Sequence, residues 1–241
     1  IAQCLVGSEM CIRDSICKML SQAEKGGVQN TIQNCVTVLQ NDPVLADSIR
    51  LNLLSERIDI VKPMGWQRSG PTLTDTDMMY ILRRMEKYGL YSEKRVSAAI
   101  RIVANENHYH PIRDYLNDLK WDGTERISHA LHRFLGAAED ELTAEALKIF
   151  LLGAIKRVFH PGCKFEMMLC LVGGQGAGKS SFFRLLAIKD EWFSDDLRRL
   201  DDDNVFRKLQ GHWIMEMSEM IATANAKSIE EIKSFLSKQK E

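Results

Sequence analysis

LCLVGGQGAGKSSFF, residues 169–183, passes from an apolar run through four glycines to a lysine and two serines, then turns apolar again. Residues 167–172 read as a buried strand, short, apolar and closed by glycine. Gly173, Gly174, Gly176 and Gly178 keep Cβ atoms out of the loop. The backbone can then take unusual dihedrals and turn several N–H groups toward one centre. Residues 180–187 read as a helix, whose positive dipole end faces that centre. Gly173, Gly174, Gln175, Gly176, Ala177, Gly178, Lys179 and Ser180 fit G-x-x-x-x-G-K-[ST], the phosphate-binding loop, with strand before and helix after. Lys179 adds a cation for phosphate and the Ser180 hydroxyl suits Mg²⁺; Ser181 is the next helix residue beside the cradle. ATP with Mg²⁺ is the expected ligand.

Such a loop needs a carboxylate on the metal side and, in a hydrolase, a group that orients water. "WIMEMSE" supplies both. Glu216 stands at the end of an apolar run, where a parallel strand presents a metal-side acid. Glu219 lies just beyond and is placed to polarise the attacking water. The expected catalytic set is Lys179, Glu216 and Glu219, with Ser180 and Glu216 on the metal. Strand and helix alternate around the loop, which implies an α/β fold, a parallel sheet with helices on its faces. "EWFSDDL" reads as a strand, residues 201–211 as a helix closed by Gly211, and a last helix is expected to be capped by Ser228.

Upstream, the pattern is mainly helical. "VGSEMCIRDS" resembles a translated sequencing-adaptor tract, so residues 1–15 are expected to be non-native and are set apart from the fold. Residues 16–106 are expected to form a mainly helical module: helical periodicity from 16 to about 54, and a short apolar strand at "IDIV". A helix capped by Thr74 or Asp75 ends at Gly89, and another, capped by Ser92, turns Val96, Ala99, Ile100 and Val103 inward. Residues 107–241 form the expected phosphate-loop domain. Pro111 opens a short helix there, residues 126–135 a second, and 141–159 a long central one stopped by Pro161 and Gly162.

Composition bounds the partners. The 241 residues are 45% apolar and 27% charged, with a net charge of -1. Residues 1–107 carry 13 Lys and Arg against 12 Asp and Glu, so nucleic-acid contact must come from local patches. No apolar run is long enough to span a membrane, and no membrane partner is expected. The six cysteines contain no C-x-x-C pair, which points to a reducing cytoplasm, with Cys163 and Cys170 as small core residues. His108/His110 and His129/His132 lack the further ligands a metal site needs.

"HPIRDYLNDLKWDGTERI", "AIKRVFHPGCKFEMMLCLVGGQGAGKSSFFRLLA", "WFSDDL", "LQGHWIMEMSEM" and "IEEIKSFLSKQKE" resemble, in order and spacing, the virulence-associated E family of phages, prophages and mobile islands. The resemblance covers a little over half the chain. It implies a nucleoside triphosphatase similar to replicative helicases, with residues 173–180 as phosphate loop, Glu216 as Walker B acid and Glu219 on the catalytic side. It also implies single-stranded or duplex DNA as partner, a homo-oligomeric ring for the intact protein, and a primase module in some parents. The chain departs from the family by stopping before an arginine- and tyrosine-rich segment, so its sheet is expected to be incomplete at the C-terminus. Three alternatives remain at this point. A small-molecule or nucleotide kinase would place a lid of arginines after the core. A GTP switch would need N-K-x-D, which is absent. A non-hydrolysing regulatory module would bind nucleotide without turnover.

Overall fold

The computed structural model describes residues 2–24, 26–197, 205–217 and 233–234. The chain divides into two compact units, Ile1–His110 and Pro111–Glu241.

The first unit opens with α1 (Ala2–Met19), which runs through the adaptor-like tract. Ile16 and, just past the helix, Leu20 enter the core, whereas Met10 and Ile12 stay exposed. α2 (Ile32–Asn41) is capped by the Thr31 side chain accepting from the Asn34 N–H, and it buries Cys35, Val36, Val38 and Leu39. Burial raises the Cys35 thiol above its usual range, so it behaves as a small apolar residue.

The helical periodicity expected up to residue 54 breaks at Asp42. Turns follow, and then an antiparallel hairpin of β1 (Ile49–Asn52) and β2 (Arg57–Ile60), with Ile49 opposite Ile60. The 71–73 segment pairs with the free edge of β2, and Tyr109 with that of β1. At the break, the buried Asp42 carboxylate accepts from the Val44 and Leu45 N–H groups, Arg84 Nε and the Tyr88 hydroxyl. Burial and then that hydrogen bond push the Tyr88 phenol above its usual range.

α3 (Asp75–Met85) starts in a capping box, Thr74 with Asp77, and continues as one 3₁₀ turn to Gly89, whose φ of +76° is left-handed. α4 (Glu93–Glu106) follows Ser92 as expected, though the serine hydroxyl makes no capping bond. Val96, Ala99, Ile100 and Val103 all face the core, against α2 and β1.

In the second unit α5 (Pro111–Asp118), α6 (Ile127–Leu135) and α7 (Glu141–Phe159) form where the sequence places them. Gly136, at φ +67°, ends α6. Asp140 caps α7 by accepting from the Thr143 N–H, which holds its carboxyl below the usual range. α6 packs along α7, and Leu131 and Leu147 share one core with Phe182 of α8 (Lys179–Leu186). The Phe165 ring lies against Gly153, where a Cβ would meet its Cζ at 2.2 Å.

β3 (Phe193–Ser194), α9 (Val205–Leu209) and β4 (Ile214–Met215) complete the described elements. β3 and β4 are parallel, in the register Phe193 to Ile214 and Ser194 to Met215. The architecture is therefore mixed α/β, with helix dominant and only two-stranded sheets among the described residues.

Among the described residues the parallel sheet expected around the glycine loop is not formed beyond the β3–β4 pair. Residues 167–172 have no ladder partner among the described residues, and a strand is defined by such bonds. They do alternate in burial. Leu169 and Leu171 pack on the α6–α7–α8 core, while Met168, Cys170 and Val172 point outward. That alternation also corrects the reading of the cysteines. Cys170 is exposed and Cys163 half-buried, whereas Cys35 is fully buried.

Candidate functional site

The loop between residue 172 and α8 is shaped by its glycines. Gly176 and Gly178 have φ of +81° and +79°, a region costly to any residue with a Cβ. Gly178 is also the N-cap of α8 and, as a glycine, has no side chain to cap that helix start. The N–H groups of the first helical turn have no partner within the helix, so an uncapped start offers donors to an anion. No atom lies within 4 Å of a Cβ built at Gly173, Gly174 or Gly176. Gly173, Gly174, Gln175, Gly176, Ala177, Gly178, Ser180 and Ser181 are all exposed.

Lys179 folds back over this loop. Its Nζ donates to the carbonyls of Gly173 at 2.9 Å and Gly174 at 2.7 Å. An ammonium has three donors, so one remains after these two bonds. Ser180 points to the next element in space: its Oγ donates to Glu216 Oε1 at 2.7 Å.

Glu216 reaches that position because β4 lies parallel to β3. The Trp213 N–H donates to the Trp192 carbonyl at 2.7 Å, and the Glu216 N–H to the Ser194 carbonyl at 2.8 Å. These bonds clamp both ends of β4. Trp192 is 2% exposed and meets Trp213 edge to face, with centroids 6.3 Å apart. The Trp213 indole N–H donates to the Ala154 carbonyl of α7. The strand that leads to Glu216 is thus braced on α7 through Trp213. The second Glu216 oxygen, Oε2, is buried and has no hydrogen-bond partner among the described residues. A buried carboxylate oxygen without a donor is costly, and such an atom marks a place for a ligand or cation.

Lys179, Ser180 and Glu216 therefore stand together beside the glycine loop. Glu219 lies outside the described residues, as do Asp201, Asp202, Asp203 and Ser228. The carbonyls of Trp192 and Ser194, which hold Glu216 in place, had no signal in the sequence beyond the apolar character of "EWFSDDL". Elsewhere, His129 Nδ1 lies 3.1 Å from Glu139 Oε1 and His132 Nδ1 2.8 Å from the Ala137 carbonyl, contacts that tie off the end of α6. Among the described residues no group of three His, Cys, Asp or Glu could hold a metal ion. Nor is any described helix long and apolar enough to cross a membrane.

Fold and site define a mixed α/β chain whose second unit sets an open glycine loop, a lysine and a serine–glutamate pair around one centre. Its sequence matches the virulence-associated protein E-like domain over residues 116–241, more than half of its length, and the chain belongs to that family. No curated protein matches it significantly.

Proposed function

We propose that this chain binds ATP with Mg²⁺ at the loop 173–180 and hydrolyses it, as the motor part of a helicase-like protein that replicates a phage or other mobile element. The observation that carries the reading is the 2.7 Å bond from Ser180 Oγ to Glu216 Oε1, with the other carboxylate oxygen buried beside it and unpartnered among the described residues. A glycine turn with a purely local role has no use for such a pair. A serine hydroxyl and a carboxylate are the hard oxygen donors that suit Mg²⁺. The residues fit the cation in kind, and the loop fits a phosphate chain in openness.

Each residue then has a task. The glycines let backbone N–H groups surround the phosphates, and the start of α8 adds its dipole. Lys179, anchored to two loop carbonyls, keeps one donor and a full charge for a phosphate oxygen. Ser180 and Glu216 hold the metal side, and Glu219 orients the attacking water. Bound Mg²⁺ supplies charge neutralisation on the β- and γ-phosphate oxygens. The alternating burial around Leu169 and Leu171 supports residues 167–172 as a strand of a phosphate-loop sheet.

Family membership supports the wider reading. Single-stranded or duplex DNA is the track, a homo-oligomeric ring the working form, a primase module a neighbour in some parents, and the bacterial cytoplasm the location.

The experiment is phosphate release by the intact parent protein with and without single-stranded DNA, for wild type and for Glu216→Gln. DNA should stimulate turnover, and Glu216→Gln should need more Mg²⁺. Turnover indifferent to DNA, with phosphate passed to a small-molecule acceptor, would instead make the protein a kinase.

A further inference from the structure

Charge in the first unit is not spread evenly. Residues 83–101 carry six Lys and Arg against two Asp and Glu, although residues 1–107 as a whole are close to balance. The excess falls on two helices joined by a tight glycine turn.

Three features fix that turn. The Gly89 N–H donates to the Glu86 carbonyl and the Leu90 N–H to the Met85 carbonyl. Gly89 is left-handed, and the Leu90 side chain is fully buried. Ile81 and Met85 of α3 and Val96, Ala99 and Ile100 of α4 share one core, so the two helices are held as a pair. A helix, a short turn containing glycine and a second helix is the arrangement that presents its second helix to a DNA groove.

The outward side of α4 suits that use. Lys94, Ala98 and Arg101 follow one another at helical spacing, with Arg95 and Ser97 beside them. Lys94, Arg95 and Arg101 are exposed. Among the described residues none of the three side chains makes a hydrogen bond or ion pair. Other arginines of the unit differ: Arg84 is committed to Asp42, and Arg68 to Asp77. Ser97 and Ala98 keep the centre of the face low, so the helix can approach a surface closely while long cations reach to either side. Glu93 is the one acid of the exposed first turn, and Glu106, at the far end, accepts from Gln40.

We propose that α4 is a duplex-DNA-binding helix, seated in the major groove with Lys94, Arg95 and Arg101 on phosphates and base edges. Free cations on a helix complement the phosphate backbone, and the major groove, about 12 Å wide, admits a helix. Single strands are held chiefly by aromatic platforms, and α4 contains no aromatic residue. This surface lies in a different unit from the nucleotide site and goes beyond it. The family resemblance names DNA as a partner without saying which part of the chain touches it.

The test is fluorescence anisotropy of the 241-residue chain, without nucleotide, on a labelled random 20-base-pair duplex and on one of its strands, over a salt series. The wild type should prefer the duplex. Lys94→Ala with Arg101→Ala should weaken duplex binding about tenfold or more and make the salt dependence shallower by about two phosphate contacts. Lys62→Ala, at a lysine tied to Asp47, should bind duplex as wild type does. Thermal melts of each variant check folding, and Lys94→Gln with Arg101→Gln replaces the alanine pair if that pair melts early. Unchanged affinity in the double variant, tighter binding of the single strand, or binding of neither DNA at about 50 mM salt would overturn the proposal.

Discussion

Replacing Asp77 by alanine should destabilise the first unit by about 3–5 kcal/mol, the usual cost of removing one partner from a buried ion pair. The Asp77 side chain is 3% exposed and that of Arg68 is 12% exposed. The carboxylate accepts from Arg68 Nε at 2.8 Å, Trp66 Nε1 at 2.7 Å, the Thr74 N–H at 2.9 Å and the Thr74 hydroxyl at 2.8 Å. Alanine leaves Arg68 with only the carbonyls of Ile60, Pro71 and Thr72, and opens the capping box of α3. In a unit of this size the loss corresponds to a drop of at least about 12 °C in melting temperature. The pH dependence follows from the same contacts. Burial alone would raise the pKa of Asp77, but the bonds from Arg68, Trp66 and Thr74 outweigh it and hold the carboxyl well below the usual range. A depressed folded-state pKa stabilises fully above the unfolded value, about 3.9, and that stability fades as pH falls further. Urea titrations at pH 7, 4 and 2.5 should show wild type losing stability toward acid more steeply than Asp77→Asn. A change below about 1 kcal/mol in Asp77→Ala at pH 7 would refute the reasoning. Asp122 is a control: its 2.6 Å pair with Arg126 is more than half exposed, so Asp122→Ala should scarcely move the melt.

Other changes probe the second unit. Lys179→Ala should lower ATP turnover in the parent protein about 10²-fold or more while leaving its melting temperature nearly unchanged, because the lysine bonds only two exposed loop carbonyls. Steady-state phosphate release and a thermal melt read the two halves of that statement. Gly153→Ala should destabilise by about 1–2 kcal/mol, since its Cβ would lie 2.2 Å from Phe165 Cζ and overpacking outweighs the gain in helix propensity. Adding Phe165→Leu should restore part of that loss in a double-mutant cycle.

Much of this structure was legible in the sequence where local chemistry is strong. α7 begins at the Asp140 cap and stops before Pro161 and Gly162, and the inward set of α4 repeats at helical spacing. β1 was not legible. Four residues, Ile-Arg-Leu-Asn, carry too short an alternation to compete with the helical period around them, and the pairing with β2 decides. In "LCLV" every residue is apolar, which hides which of Leu169, Cys170, Leu171 and Val172 face inward; packing on α8 supplies the answer. At the site, the motif named Lys179 and Ser180, and the end of an apolar run named Glu216. That Ser180 and Glu216 should share one side of the site was expected from the motif; what no pattern showed is the route, because 36 residues separate serine from glutamate and the parallel register of β3 and β4 closes that distance. The return of Lys179 onto the loop carbonyls also depends on a backbone path that no pattern encodes.

The central claim is that the glycine loop, Lys179 and the Ser180–Glu216 pair form a place for a magnesium nucleotide. The direct measurement is an equilibrium titration of a fluorescent ATP analogue into the 241-residue chain, with Mg²⁺ and with EDTA, for wild type and Lys179→Ala. The account predicts saturable binding that ATP displaces, that EDTA weakens, and that Lys179→Ala weakens about tenfold or more while the variant stays folded. No saturable binding, or binding indifferent to both Mg²⁺ and Lys179, would contradict it.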